Sequence, residues 1–373
     1  MAITIDRLEC WVHRAPIQVP VVNSFRAMTN RPALWLRLTA SDGVQGWGEV
    51  FCNFPQVGAE HRARLLESIF VPLVIGQPAD SPSAITAFLE QKTHRLALQC
   101  GEPGPFAQIS GALDQAMWDL CAKRMGHAVW MLKGGQPRVK VYASGIGPDN
   151  VVRITREKWQ EGYRAFKLKV GFGSDKDLSN LAGMREVVGP KIPIMCDANQ
   201  AWDLAQAKAN IALLSEFSPF WLEEPLPADS PHQEWLDLSR STDVALAAGE
   251  NLRGDQFRQA LEHEYLKFIQ PDVGKWGGLS GGWQVAKAAL QKGTHYCPHW
   301  LAGGVGLAAS MHALAGSGDI EGWAEVDANP NPLREQVWCP RPVEGVVTLG
   351  EEPGFGVEPP LDELENLRVQ FRA

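Results

Sequence analysis

From residue 138 onward the chain alternates short apolar segments with helical segments, and this alternation limits the fold more than any other feature. The apolar segments are typical of buried strands: RVKVYASG, AFKLKV, IPIMCDA, PFWLEE, VALAAGE, LKFIQPD, THYCPH and GWAEV. Stretches such as DKDLSNLAGMREVVG and LSGGWQVAKAALQKG separate them and predict helices. Parallel βα units carrying eight strands predict a TIM-type barrel.

The residues before the barrel predict a separate domain. Strand-like patterns at 2–12, 33–40 and WGEV precede helical stretches near 59–75, 81–98 and 108–126, which favours an α+β domain over 1–137. We expect the barrel over 138–340. The tail, 341–373, is rich in Pro, Gly and Glu and is expected to leave the barrel and return to the first domain.

Composition excludes several classes of protein. The net charge of −8 and the lack of a basic run argue against nucleic-acid binding. No apolar run approaches the length of a membrane span, and charges throughout MAITIDRLECWVHR argue against a signal peptide. Seven scattered cysteines without a Cys-x-x-Cys pair predict reduced thiols and a cytoplasmic protein.

Seven strands, from the second to the eighth, each end in an ionisable residue. The spacing between successive members is 22 to 28 residues, which is one βα unit. A closed barrel turns this linear spacing into a ring around one mouth, where such barrels carry their active sites. The members are Lys169, Asp197, Glu223, Glu250, Asp272, His299 and Glu325.

Three consecutive carboxylates in this ring predict a metal site. Asp197, Glu223 and Glu250 would converge, and their mutual repulsion requires a cation. Oxygen ligands suit Mg²⁺ first, with Mn²⁺ as the alternative; helix caps or ion pairs are the structural alternative. Strand alternation lets only one of Glu223 and Glu224 face the ring, and we favour Glu223. Asn199 is expected to support the ligands or to contact the substrate.

The remaining ring members predict proton transfer. Asp272 would orient the His299 imidazole and raise its basicity, whereas His295, near the other end of that strand, is expected to be structural. Lys167 and Lys169 lie on one face of a strand, so their like charge would lower the pKa of Lys169 and let it act as a base. Lys167 is expected in addition to hold the substrate carboxylate. Salt bridges to the acids are the structural alternative, which we favour less for Lys169 than for Lys167.

These motifs resemble those of the enolase superfamily, specifically its mandelate racemase subgroup. KLK at 167–169 is similar to the Lys-x-Lys motif of the family, whose second lysine is a base. DANQAW, WLEEP and AAGEN resemble the segments with the three Mg²⁺ ligands, and QPDVGKWGG and PHWLAGGVGLAAS those with the His–Asp pair. The resemblance implies a modified (β/α)₇β barrel with an α+β capping domain. It also implies that Glu325 is an acid or a hydrogen-bond donor to substrate, and that Lys275 is not the sixth-strand base of the muconate-cycloisomerase-like subgroup.

The resemblance implies Mg²⁺-dependent removal of the proton α to a carboxylate, giving a metal-stabilised enediolate. We expect dehydration of a sugar acid to a 2-keto-3-deoxy acid. The alternatives are a racemase, epimerase or cycloisomerase acting on a 2-hydroxy acid, a sugar acid or its lactone, and, more remotely, a non-catalytic protein that binds metal and carboxylate. The substrate is a small carboxylate, and the chain is expected to form a homo-oligomer.

Two N-terminal loops are expected to cover the mouth and set specificity, by resemblance, at about 19–31 and 50–62. Arg26, Asn23 and Asn53 could bind hydroxyl groups or a distal carboxylate, which favours a sugar acid; solvated loop residues are the alternative. The aromatic side chains Phe25, Phe51, Phe54 and Trp300 would make the pocket partly apolar.

GGVGLAAS at 303–310 is similar to a dinucleotide-binding glycine loop. It follows the seventh strand rather than the first βα turn of a dinucleotide-binding unit. We interpret it instead as a tight strand-to-helix turn with an anion at the helix N-terminus.

Overall fold

The first part of the chain forms a three-stranded antiparallel sheet in the computed structural model, which describes residues 3–370. The strands, in spatial order, are β1 Ile5–Val22, β2 Ala27–Ala40 and β3 Gln45–Val50. The predicted first domain and tail also include residues 1–2 and 371–373, which lie outside the described residues.

The predicted first loop, 19–31, is mostly a β-hairpin rather than an open loop. β1 and β2 remain paired at Val21 with Met28 and at Val22 with Ala27, so only the turn between them is irregular. Pro16 and Pro20 interrupt the strand pattern in the sequence, and the pairing is irregular between Pro16 and Val21. Both strands therefore extend beyond the strand patterns predicted at 2–12 and 33–40.

Four helices complete the first domain and cover one face of the sheet. They are α1 Gly58–Leu65, α2 Val71–Val74, α3 Pro82–Gln99 and α4 Pro103–Met125. The apolar side chains of β2, such as Leu34 and Leu36, share a buried core with Ile109 and Leu113 of α4. This alternating apolar face of β2 is what fixes the helices on the sheet.

The second part of the chain contains eight parallel strands with seven helices between them, which confirms the predicted (β/α)₇β barrel. The strands are β4 Arg138–Ile146, β5 Phe166–Lys169, β6 Ile194–Asp197, β7 Leu222–Glu223, β8 Leu246–Ala248, β9 Phe268–Ile269, β10 His295–Tyr296 and β11 Trp323–Asp327. The helices are α5 Val151–Gln160, α6 Ser174–Val188, α7 Leu204–Leu214, α8 His232–Ser239, α9 Asp255–His263, α10 Gly278–Gln291 and α11 Gly304–Ala315. A short helix, α12 Pro332–Glu335, follows β11.

The barrel is nearly closed: its eighth strand, β11, pairs with its first, β4, and Glu325 stands opposite Tyr142. Neighbouring strands pair in chain order from β4 to β10, while in the described part of the chain β10 and β11 share no ladder. Large side chains, among them Trp221 and Phe268, fill the interior beneath the mouth. The barrel is therefore a packed support for the residues at its strand ends.

The tail contacts both domains. β12 Val346–Thr348 pairs antiparallel with β4 of the barrel. Beyond it, the Phe355 N–H donates to Asp119 of α4 at 2.7 Å, and the Val369 N–H donates to the Val12 carbonyl of β1 at 2.8 Å. The tail thus first extends the barrel sheet and then lies along the edge of the first domain's sheet.

None of the helices that the structure describes is both long and apolar enough to cross a lipid bilayer. The seven cysteines, all within the described range, carry free thiols.

Candidate active site

Lys167 and Lys169 point into the barrel mouth from β5 and are both buried. The Lys167 Nζ lies 2.5 Å from Glu223 and 2.8 Å from Glu325. The Lys169 Nζ lies 2.6 Å from Asp197. Both lysines form salt bridges, although we favoured this less for Lys169. Acidic side chains therefore compensate the like charges that the KLK motif places on one face.

The seven ring residues form one continuous chain of contacts. Asp197 joins the two lysines, since its Oδ2 also lies 3.5 Å from the Lys167 Nζ. Glu325 then connects Lys167 to His299, whose Nε2 lies 3.4 Å from the carboxylate. The same nitrogen lies 3.2 Å from Glu250, and Nδ1 lies 2.6 Å from Asp272. Residues spread over more than 150 positions of sequence therefore meet at one mouth.

The strand ends account for this convergence. β5, β6 and β7 pair in register, so that Lys169 stands beside Asp197 and Asp197 beside Glu223. Asp272 and His299 form an isolated parallel bridge just beyond β9 and β10. Because parallel strands run in one direction, their carboxyl ends deliver all of these side chains to the same end of the barrel.

Charge and burial act against each other on these groups. Burial opposes ionisation of Asp197, but Lys169 and Lys167 hold its pKa below the usual range. For Glu223 burial prevails over Lys167 and raises the pKa to about 7. Lys167 is fully buried, yet Glu223 and Glu325 raise its pKa well above the usual value. This ammonium is held in its charged form and balances the acids around it.

The His299 imidazole is oriented by Asp272. A carboxylate can only accept, so Nδ1 donates to Asp272 Oδ2 and Nε2 faces Glu250 and Glu325. Burial disfavours the charged ring, but these carboxylates, Glu250 foremost, raise the pKa of His299 to about 9. The ring is thus fixed in direction, with one nitrogen turned toward the acids of the mouth.

Two further ionisable residues belong to the site, and the sequence analysis did not assign them to it. β7 ends at Glu223, and Glu224 has a φ of 41°, so strand alternation does not keep Glu224 away from the mouth. Its buried carboxylate accepts from Asn251 at 2.9 Å, and burial and Glu250 raise its pKa. The Lys275 ammonium contacts Glu250 and lies 4.5 Å from the ring centre of Phe51. Both residues lie in backbone turns that follow strands, and these turns direct their side chains into the barrel mouth. Such turns have no periodic pattern in the sequence.

The donor set was tested against the predicted divalent cation. Within the described residues no group of three or more His, Cys, Asp or Glu side chains stands in a metal-binding arrangement, because the acids close on lysine ammonium groups instead. Asp197, Glu223 and Glu250 nevertheless come from neighbouring strand ends, and each is at most 8% exposed. Three buried carboxylates that require positive charge fit a hard cation such as Mg²⁺.

The residues predicted to bind substrate fall into two groups. Asn199 lies inside the site, where its Oδ1 accepts from Lys169 at 2.7 Å. Asn53 donates to the Leu301 carbonyl at 2.6 Å and, with Arg26, lines a cavity of about 180 Å³ between the two N-terminal segments. Its contact ties the second segment to the chain just beyond His299.

The other two predicted substrate contacts have structural partners. Asn23 Oδ1 accepts from the backbone of Arg26 at 2.8 Å and closes the hairpin turn. The Trp300 ring is 1% exposed, and its N–H donates to the Gly303 carbonyl at 2.8 Å. Binding of substrate by these side chains stays a prediction, which their present contacts do not favour.

The chain matches two family descriptions over most of its length. Residues 150–363 match the family described as enolase C-terminal domain-like, and residues 7–134 match the N-terminal domain of mandelate racemase and muconate lactonizing enzyme. The D-galactarolactone cycloisomerase of Agrobacterium fabrum is 30% identical over 99% of each chain. The arabinonate dehydratase of Saccharolobus solfataricus is 26% identical over 86% of each.

Solved structures show the same architecture. A mandelate racemase/muconate lactonizing enzyme from Bordetella bronchiseptica is 44% identical and superposes with a TM-score of 0.91, covering 98% of this chain and 100% of its own. A racemase from Streptomyces coelicolor, solved with bound magnesium, is 26% identical with a TM-score of 0.88 over 98% and 100% of the two chains.

Proposed function

The chain belongs to the mandelate racemase/muconate lactonizing enzyme family, and from that premise we propose that it removes the proton α to the carboxylate of a sugar acid. Loss of the β-hydroxyl as water would then give a 2-keto-3-deoxy acid. The observation that carries the proposal is the unbroken chain of contacts from Lys169 through Asp197, Lys167 and Glu325 to His299. It joins two candidate bases from distant strands with the buried acids between them.

The two bases serve different faces of the substrate. Lys169 ends the second barrel strand and His299 follows the seventh, so a substrate held over the acids meets one group on each side. Mg²⁺, or Mn²⁺ in its place, would be held by Asp197, Glu223 and Glu250 and would supply positive charge to the substrate carboxylate as its α-proton leaves. Lys167 is 0% exposed and balances the acids from beneath rather than reaching the substrate.

His299 has the position required of the group that protonates the departing hydroxyl. Asp272 occupies Nδ1 at 2.6 Å, which leaves Nε2 as the nitrogen that faces the mouth. A fixed ring with one nitrogen turned toward the mouth can deliver a proton in a single direction. The dehydratase among the relatives, which acts on arabinonate, supports this outcome.

Cycloisomerisation of a sugar lactone is the second candidate, favoured by the relative that acts on D-galactarolactone. In both reactions the first step is removal of a proton α to a carboxylate. The leaving group then differs: a hydroxyl leaves as water in dehydration, whereas the lactone ring oxygen leaves in cycloisomerisation. The same Nε2 would protonate either oxygen.

Isotope exchange tests the proposal. The protein is incubated with Mg²⁺ in D₂O with a panel of aldonic and aldaric acids and their lactones, and the α-position is followed by proton NMR. A keto product with loss of water supports dehydration, an opened lactone ring supports cycloisomerisation, and exchange with inversion indicates a racemase or epimerase. Absence of exchange with every compound would refute proton abstraction from this class of acid.

Variants assign the bases. Lys169→Ala and His299→Asn should each abolish turnover. His295→Asn is the matched control, because His295 lies at the other end of the seventh strand beside Asp319. Its variant should retain the exchange rate of the wild type. Full activity in either base variant would contradict the role given to that residue.

Two further features of the proposal concern context. Free thiols at all seven cysteines are consistent with reaction in the reducing cytoplasm, where we place the protein. Assembly into a homo-oligomer stays a prediction, to be measured by light scattering.

A further inference from the structure

Glu49 of the first domain is buried in the barrel domain beside the loop that carries His299. It is 0% exposed, and its Oε1 accepts from the Gly303 N–H at 2.6 Å while Oε2 accepts from the Gly306 N–H at 2.9 Å. Gly303 immediately precedes α11 and Gly306 lies in its first turn, a few residues after His299. The carboxyl oxygens of Glu49, from the other domain, therefore occupy the place where the glycine-rich turn predicted an anion.

The backbone of Glu49 is tied in turn to the strand end that carries Asp272. The Glu49 N–H donates to the side chain of Gln115 at 3.0 Å. The Gln115 amide donates back to the Glu49 carbonyl at 3.2 Å and onward to the Val273 carbonyl at 3.0 Å. Val273 directly follows Asp272, so one glutamate and one glutamine hold the backbone on both sides of the His299–Asp272 pair.

A second buried carboxylate repeats this arrangement one helix earlier. Asp114 of α4 is 0% exposed and accepts from the Ser280 N–H of α10 at 3.0 Å and from the Thr86 hydroxyl at 2.8 Å. The two domains approach so closely that glycine is needed at both contacts. A Cβ atom on Gly303 would lie 2.3 Å from Glu49 Oε1, and one on Gly278 would lie 2.3 Å from Asp114 Oδ1. The first domain thus meets the starts of the two helices that follow the strands of Asp272 and His299.

Holding two domains together does not by itself need buried carboxylates, since apolar contacts would do so without the desolvation cost. Here the hydrogen bonds of Glu49 and Gln115 to the barrel are made to backbone groups a few residues from Asp272 and His299. The Trp300 N–H, next to His299, also donates to Glu325 at 3.0 Å, so a displaced α11 start would move the imidazole against the acids of the mouth.

We propose that Glu49, acting with Gln115, is a positioning residue that sets the separation of His299 and Asp272. The catalytic consequence rests on the function proposed above, whereas the geometric consequence does not. Glu49→Gln keeps the shape of the side chain but removes its charge and one acceptor. We expect the His299–Asp272 hydrogen bond to lengthen and proton transfer at the face served by His299 to slow.

The first measurement needs no substrate. The proton shared by His299 Nδ1 and Asp272 gives a far-downfield NMR signal, which is assigned by its loss in His299→Asn and recorded with Mg²⁺ present. In Glu49→Gln we expect this signal to move upfield. Asp119→Asn is the matched control, because Asp119 is also buried and accepts from the backbone of β3 at 2.9 Å but binds the tail rather than the barrel loops.

The second measurement uses the acid that the wild type exchanges most rapidly. Glu49→Gln should lower kcat by about 10- to 100-fold with KM changed less than about threefold, the effect of a misplaced catalytic group. Gly303→Ala, which displaces the Glu49 carboxylate from the opposite side, should give the same pattern and replaces Glu49→Gln if that variant does not fold.

An unmoved signal in Glu49→Gln, or equal movement in Asp119→Asn, would overturn the inference. If the wild type exchanges no acid, the proposed function fails, but the downfield signal still decides whether Glu49 positions the pair.

Discussion

Glu49→Gln should also change how stability depends on pH. Burial raises the pKa of Glu49 from 4.5 to about 7, although the backbone N–H groups of Gly306 and Gly303 oppose this. In the folded protein the carboxyl therefore keeps its proton to higher pH than in the unfolded chain. Between pH 4.5 and about 7 the unfolded chain loses this proton first, so rising pH weakens the folded state.

The magnitude follows from the difference of about 2.5 between the two pKa values. At about 1.4 kcal/mol per pKa unit, the full loss is about 3.5 kcal/mol, of which about 2.5 kcal/mol falls between pH 5 and 8. Glutamine does not titrate. The free energy of unfolding of Glu49→Gln relative to the wild type should therefore rise by about that amount across the same interval.

Urea unfolding of both proteins at the two pH values measures this difference. The slope of the unfolding free energy against urea concentration should be equal in the two proteins, because equal slopes mean that both expose the same surface area on unfolding. If the difference in unfolding free energy between the two proteins stays constant with pH, burial does not set the pKa of Glu49. A difference of opposite sign, confined to pH below about 4.5, would show that the helix N-terminus outweighs burial.

Three other perturbations test the site and its support. Gly306→Ala should lose about 1–3 kcal/mol of stability in thermal unfolding, because its Cβ would lie 2.0 Å from the Trp300 ring, whereas Gly147→Ala meets its first neighbour at 3.7 Å and should lose little. Mg²⁺ at about 100 times its Kd should raise the unfolding free energy of the wild type by about 2.7 kcal/mol. In Asp197→Asn this increase should be much smaller, and an equal increase would mean that the ion binds elsewhere. Lys167→Met, measured with chelator present, should cost about 3–5 kcal/mol, because it leaves buried carboxylates without their partner; a loss below about 1 kcal/mol would contradict that pairing.

The barrel and its ring could be predicted because both depend on periodic signals. Each short apolar segment ends in a polar residue one βα unit after the last, and parallel strands must bring such residues to one end. Asp272 and His299 illustrate this: 27 positions apart in sequence, their side chains lie 2.6 Å apart in the structure.

The features that the sequence analysis missed lie where the periodic signal ends. Glu224 follows a two-residue strand and takes a positive φ, so the alternation rule did not apply to it. Lys275 reaches Glu250 through the turn after β9, and no spacing predicts such a turn. In the hairpin of β1 and β2, pairing across the sheet maintains strand beyond the predicted patterns at 2–12 and 33–40.

Glu49 shows a different limit. WGEV was assigned correctly to a strand, but the strand assignment gave its glutamate no role. Its partners, Gly303 and Gly306, are more than 250 positions away in the chain. The glycine-rich turn did indicate an anion, and only the packing of one domain on the other showed which residue provides it.

The path of the tail has a consequence for the order of events on the ribosome. β1 is synthesised before every strand of the barrel, yet its Val12 carbonyl accepts from the N–H of Val369, which follows the barrel. This stretch of the edge of β1 therefore stays uncovered while the eight strands of the barrel are translated. At about 5–20 residues per second this interval lasts tens of seconds. Throughout it, the nascent first domain exposes a strand edge that the finished protein covers.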